Sequence, residues 1–208
     1  MAAPITHIVL ANKVFNKYFS DKDKADFYRG TVFPDVRYLG GIRRSETHFE
    51  DVTFFDVKKE DSFFAGFKLH SLIDRIRERF IHKQNIYSFL PASRHIVEAV
   101  KLIEDRLLYS KVKDWKSVKD YLNNYSKEEF SFKVNRNEIE KWHGLLRIYF
   151  DKEPKVENTI EFLSKLKGFK GSLGELKFLM DRLDSNPKIR EMVFKFYREF
   201  EILLEKEV

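Results

Sequence analysis

Residues 61–80, DSFFAGFKLHSLIDRIRERF, decide how this chain is read. Phe63, Phe67, His70, Ile73, Asp74 and Phe80 recur at helical spacing and predict one long helix with a broad apolar face. Asp61 or Ser62 stands where a helix N-cap belongs. His70 and Asp74, four apart, project from one side of that helix about a turn from each other. Asp74 lies between Ile73 and Ile76 on the face that carries Phe63 and Phe67. A carboxylate placed there calls for a partner, because burying it alone is costly.

Helical signals continue on both sides. Ile5, Ile8, Val9, Val14, Phe15 and Phe19 mark a first helix over residues 5–20, and residues 24–29 begin a short second one after Asp21 and Asp23 break the pattern. Residues 30–61 hold no apolar stripe and are punctuated by Gly30, Pro34, Gly40 and Gly41, which predicts a long ordered loop, and such loops are often functional. Further helices are expected over residues 91–109, 115–125, 137–150, 156–166, 172–183 and 187–205, the last with Pro187 in its first turn. The best strand signal, residues 130–134, is poor. The chain reads as all-α, with a helical domain over residues 1–150 and a C-terminal helical extension, 151–208, packed on it after the Glu153-Pro154-Lys155 turn.

Composition narrows the function classes. The 208 residues carry 21 phenylalanines, enough bulky material for a real core. A net charge of +6 favours phosphate groups, nucleic acid or acidic lipid as partners, although both signs are interspersed and no tract is purely basic. There is no cysteine, so disulfides, thiol nucleophiles and cysteine zinc sites are excluded, and any metal must be held by His, Asp and Glu. The opening residues lack a basic n-region, and no window approaches the roughly 18 apolar residues that read as a membrane span. A cytoplasmic location is expected.

Three of the six histidines, His7, His48 and His70, fall within the first 70 residues. Asp35 follows Pro34, whose ring restrains the loop that aims the carboxylate. An imidazole and a carboxylate on one helix, joined by loop residues, suit a hydrolytic metal centre that keeps a position open for water. Each residue also has an ordinary structural reading. His70 and Asp74 can form an i,i+4 pair contributing roughly 0.2–0.5 kcal/mol, Asp35 can cap a turn, and His82 can face the dipole at a helix C-terminus. His143, in EKWHGLL, has no carboxylate arrangement that points to a site, and Trp115 and Trp142 read as packing anchors. Arg37, Arg43 and Arg44 lie between the candidate ligands, where a guanidinium suits bidentate phosphate binding, and Tyr38 can line a pocket.

The order ITH, FYRGTVFPDVRYLG, RRSETHF and AGFKLHSLID over residues 5–74 resembles the bacterial zinc-dependent phospholipase C family, and its short cytoplasmic members more than the secreted ones. The resemblance implies the helical fold shared with P1-type nucleases and one to three zinc or other divalent ions in a phosphoester-cleaving site. It implies that Asp35, His48, His70 and Asp74 hold one ion, that Asp74 bridges to a second held by His7, and that Asp35 orients or deprotonates the attacking water. His82, His95 and Glu98 resemble the remaining site, although Glu98 follows His95 by three residues where the family has four. No tryptophan stands at the start, where the secreted enzymes use its amine as a ligand. The function implied is a metal-dependent phosphoester hydrolase acting on a phosphate-containing small molecule or lipid headgroup, with Arg37, Arg44 and Tyr38 contacting substrate. A nuclease-like enzyme on single-stranded nucleic acid and a non-enzymatic helical protein with a structural metal site are the alternatives. An HD-type phosphohydrolase is disfavoured, since no His precedes an Asp directly.

Overall fold

Gly30 and Gly66 set the packing on which the site depends. The computed structural model describes residues 3–167 and 172–208, and in it the helices carrying these glycines touch backbone to backbone. A Cβ on Gly30 would lie 2.0 Å from the Phe63 carbonyl oxygen, and one on Gly66 would lie 1.9 Å from that of Phe27. Neither carbonyl belongs to a side chain that could swing away, so only glycine permits this approach.

The described residues form ten α-helices and no strand: α1 (Pro4–Tyr18), α2 (Lys24–Val32), α3 (Phe54–Lys59), α4 (Ser62–Lys83), α5 (Ile96–Leu108), α6 (Trp115–Tyr121), α7 (Arg136–Tyr149), α8 (Val156–Ser164), α9 (Leu173–Asp184) and α10 (Pro187–Glu205). None is long and apolar enough to cross a membrane. The central α4 begins where Asp61 accepts from the Phe64 amide at 3.1 Å, which satisfies one of the four open N–H groups of its first turn. It packs against α2, α3, α1 and α10. On the other side α5 contacts α1, α9 and α10, and α8 joins α9 to α7. One buried apolar cluster runs from Ile5 through Phe67 and Trp142 to Leu204, so both halves of the chain share a core. Near the C-terminus Glu207 closes the bundle: its carbonyl accepts from the Phe54 amide at 2.6 Å, and its carboxylate meets Arg75 at 2.9 Å and also Arg79.

The helix boundaries depart from the periodicity where side chains claim backbone groups. The second helix extends past Arg29 to Val32, with Asp23 as its cap, because Gly30 and Thr31 are needed at the α4 contact. The expected loop over residues 30–61 is therefore largely short helix: a 3-10 helix over Phe33–Leu39, another over Arg44–Glu46, and α3. Residues 91–95 stay outside α5, with the Ser93 hydroxyl accepting from the His95 amide at 3.0 Å in a local turn. The sixth helix stops at Tyr121, whose carbonyl accepts from the Arg29 guanidinium at 2.7 Å. Residues 127–131 are a 3-10 helix, which replaces the weak strand signal there.

Candidate metal centre

His70 is placed by the glycine contact. Thr31 follows Gly30, and His70 lies one turn beyond Gly66, so the helix crossing brings the Thr31 carbonyl to 2.9 Å from His70 Nδ1. A carbonyl only accepts, so Nδ1 carries the hydrogen. Burial, with the His7 and His48 rings close by, drives the His70 pKa well below its ordinary value. The ring is neutral, and its Nε2 presents a lone pair.

His7 is held in the same way from α1. The α1 N-terminus has no side-chain cap of its own; Asp105, from α5, supplies one, accepting from the Ile5 amide at 3.2 Å and from the Thr6 amide and hydroxyl at 2.6 and 2.7 Å. Tyr149 donates to the same carboxylate at 3.2 Å. Thus anchored, His7 turns Nδ1 to the Ala3 carbonyl at 3.2 Å and stacks its ring on His70, centroids 3.8 Å apart and planes within 6°. Its Nε2 is buried without a hydrogen bond, 3.3 Å from Asp74 Oδ1.

His48 arrives from the loop after the Arg44–Glu46 turn, its amide bonded to the Arg44 carbonyl at 2.9 Å. The next residue fastens this loop to α4, with the Phe49 amide donating to Ser71 Oγ at 3.1 Å. His48 Nδ1 meets the Thr47 hydroxyl at 2.8 Å, and that hydroxyl reaches the Arg44 carbonyl at 3.3 Å. With the hydroxyl donating to the carbonyl, it accepts from Nδ1 and leaves Nε2 bare. Burial, and then the Arg44 charge, lower the His48 pKa to about 3.

Three imidazoles thus point Nε2 into one buried space. His48 and His70 face each other nitrogen to nitrogen at 3.1 Å, and Asp74 Oδ2 stands 3.5 Å from the first and 3.9 Å from the second. Asp74 is itself buried, 4 % exposed, with Oδ1 turned to His7 and Oδ2 to His48 and His70. Asp35, on the 3-10 helix after α2, joins from the other side. It is 3 % exposed, its Oδ1 has no hydrogen bond, and burial raises its pKa against the pull of His7. The donor atoms of His7, His70 and Asp74, and those of Asp35, His48 and His70, each lie within 4.8 Å of one another and could hold a metal ion. Imidazole nitrogens pinned at Nδ1 by oxygen acceptors, beside two carboxylates, are a donor set for a divalent cation.

The remaining candidates lie around or away from this cluster. Arg44, half-exposed, brings its guanidinium to 3.8 Å from Asp74 Oδ2 at the wall of a groove of about 710 Å³ that also touches His48. Arg43 is exposed and pairs with Glu46 at 3.3 Å. Arg37 donates to the Tyr38 hydroxyl at 2.7 Å, lies over the Tyr38 ring and sits 3.7 Å from Asp35. The structure does not bring His82, His95 and Glu98 into the cluster. His82 is eight residues beyond Asp74 on the same rigid helix, roughly 12 Å along its axis, and pairs at the surface with Glu78 at 3.0 Å. His95 accepts from the Ser172 amide at 3.3 Å and lies 3.7 Å from Glu175. Glu98 instead lines a separate cavity that also reaches Asp35. His143 has a carboxylate after all: Glu129, fourteen residues earlier and outside the helix, sits 2.7 Å from its Nε2.

Sequence reasoning passed over Asp105 and the Thr31 carbonyl. Asp105 left a faint signal, an acid inside the apolar run LIEDRLL; a backbone carbonyl leaves none. No protein-family model, no curated protein and no solved structure matches this chain.

Proposed function

We propose that the chain is a metal-dependent phosphoester hydrolase of the zinc-dependent phospholipase C type, with a P1-nuclease-like helical arrangement. The observation that supports this is the convergence of three imidazole Nε2 atoms and two carboxylates in one buried space, where His7 Nε2 and Asp35 Oδ1 make no hydrogen bond. His7, Asp35, His48, His70 and Asp74 would hold one or more zinc or similar ions. Asp74 is suited to be shared, since Oδ1 faces His7 while Oδ2 faces His48 and His70. A bound divalent ion supplies a water of lowered pKa, near ~7, and charge to offset the phosphoryl oxygens.

The chain's own residues then have definite tasks. The Thr31, Ala3 and Thr47 oxygens keep the three rings in the tautomer that exposes Nε2. Asp35 Oδ1 accepts a hydrogen bond from the attacking water and aligns it. Water oxygen bonds to phosphorus, the ester P–O bond breaks, and the alcohol leaves with a proton. Arg44, at the groove wall, meets the anionic phosphate.

Metal analysis combined with turnover tests this reading. The purified protein is expected to carry zinc or a similar ion and to hydrolyse bis(p-nitrophenyl) phosphate. His70→Ala should weaken metal binding more than about a hundredfold and abolish turnover. Metal retained without hydrolysis of phosphodiester, phosphomonoester or single-stranded oligonucleotide would instead make this a structural metal site.

A further inference from the structure

Two spaces flank the cluster, and their walls differ in chemistry. The groove on the His48 and Asp74 side is lined by charged and polar groups, among them Arg44, Ser45, Glu50, Glu78 and Arg79. On the Asp35 side lies a cavity of about 130 Å³ walled by Leu102, Trp142, Phe162, Leu163 and Leu166. We propose that this cavity is a subsite for one small apolar group of the phosphoester, a single aryl ring or a short alkyl chain. The proposal rests on the hydrolase reading and narrows its substrate class.

Three observations carry it. Asp35 lines the cavity while belonging to the metal-ligating cluster, so a group seated against the leucines is attached next to the reacting atoms. The apolar wall comes from α5, α7 and α8 and from Leu166, whereas the groove offers charge and would solvate an apolar group poorly. Volume then limits what fits: an engineered apolar cavity of about 150 Å³ in another protein admits benzene, and a space of this size holds one ring but not two long acyl chains. The polar groups at the cavity are few, as ligand pockets require. Lys101 lines it without an ion pair or side-chain hydrogen bond among the described residues, and Glu98 Oε2 is buried with no hydrogen bond. Lys101 offers a phosphate oxygen a cation on this side, as Arg44 does on the other. Glu98 accepts from a hydroxyl on the organic group.

Phenylphosphonate and methylphosphonate, which are not hydrolysed, separate the apolar contribution from the phosphonate one. In zinc-loaded protein labelled at leucine methyls, phenylphosphonate should shift Leu102, Leu163 and Leu166 and bind about tenfold more tightly than methylphosphonate. Leu163→Trp, which fills the cavity, should erase that preference while zinc stoichiometry is kept. If the variant does not fold, the wild-type titration decides. Equal affinities, shifts confined to the groove, or tighter binding of a two-chain phospholipid analogue would overturn the subsite. Failure of the hydrolase reading looks different: no bound zinc and no turnover, with the leucine methyls still responding to the phenyl group.

Discussion

His70 and His143 are both buried within helices, and both have a carboxylate nearby, yet they sit in opposite kinds of polar interior. His143 Nε2 meets Glu129 Oε1 at 2.7 Å, the other Glu129 oxygen takes the Ser126 amide at 2.9 Å, and Tyr125 stacks on the ring. At Nε2 one donor answers one acceptor and the ion-pair geometry is closed, while the buried Nδ1 makes no hydrogen bond. Around His70 the acceptors outnumber the donors: Nε2 faces another imidazole nitrogen at 3.1 Å, with Asp74 at 3.9 Å. Residue type and burial are alike in the two places. What separates a structural pair from a cation site is whether the hydrogens present can satisfy the lone pairs present.

Four measurements test this contrast. The largest effect belongs to the closed pair. His143→Ala leaves Glu129 buried without its imidazole partner and should lower unfolding free energy by about 3–5 kcal/mol, read by denaturant titration, while metal stoichiometry is unchanged. Metal lost together with stability would place His143 in the same functional unit as His70. Next comes the helix crossing. Gly66→Ala sets a Cβ against the Phe27 carbonyl, so α2 and α4 must part, at a cost near or above the upper end of the ~1–3 kcal/mol of ordinary overpacking. Because Thr31 then draws away from His70 Nδ1, metal affinity should fall as well, which calorimetry would detect. Unaltered affinity would show that the ring is oriented by something other than that carbonyl.

A smaller effect separates the rings from their support. Thr47→Val removes the hydroxyl beside His48 Nδ1 and should weaken metal binding by about 10–100-fold with little change in stability. The fourth measurement is the pH dependence of metal-free protein. His48 titrates at about 3 in the fold and His70 well below its ordinary value, whereas both protonate near 6.5 in the unfolded chain. The unfolded state therefore binds more protons below pH 6.5. The stability these rings contribute is complete above that pH and is lost as pH falls toward 3, by at most about 1.4 kcal/mol per pH unit for each ring. Asp35 acts with the opposite sign, since its raised pKa makes the folded chain take up a proton first. His48→Gln should flatten the acid limb, and an unchanged limb would mean that its ring is already charged in the fold.

Much of this was legible in advance, for reasons that differ from residue to residue. The 3.6-residue period of α4 exposed both the helix and the shared side of His70 and Asp74. The all-helical class followed from similar stripes elsewhere. His82 misled because a histidine near a helix end looks the same whether it faces a site or solvent. Glu98 misled because its spacing from His95 says nothing of which cavity the helix turns it toward. Asp105 escaped because capping a helix a hundred residues away leaves no local pattern.

The chain alone determined the quantities that depend on near neighbours: which segments are helical, which side chains share a face, and the absence of any thiol ligand. Only tertiary structure decided that His7, Asp35 and His48 meet His70 and Asp74, and that His82, His95 and Glu98 do not. Helical geometry repeats within a few residues, whereas these meetings depend on where whole helices cross. That crossing rests on two glycines whose missing side chains let one backbone touch another.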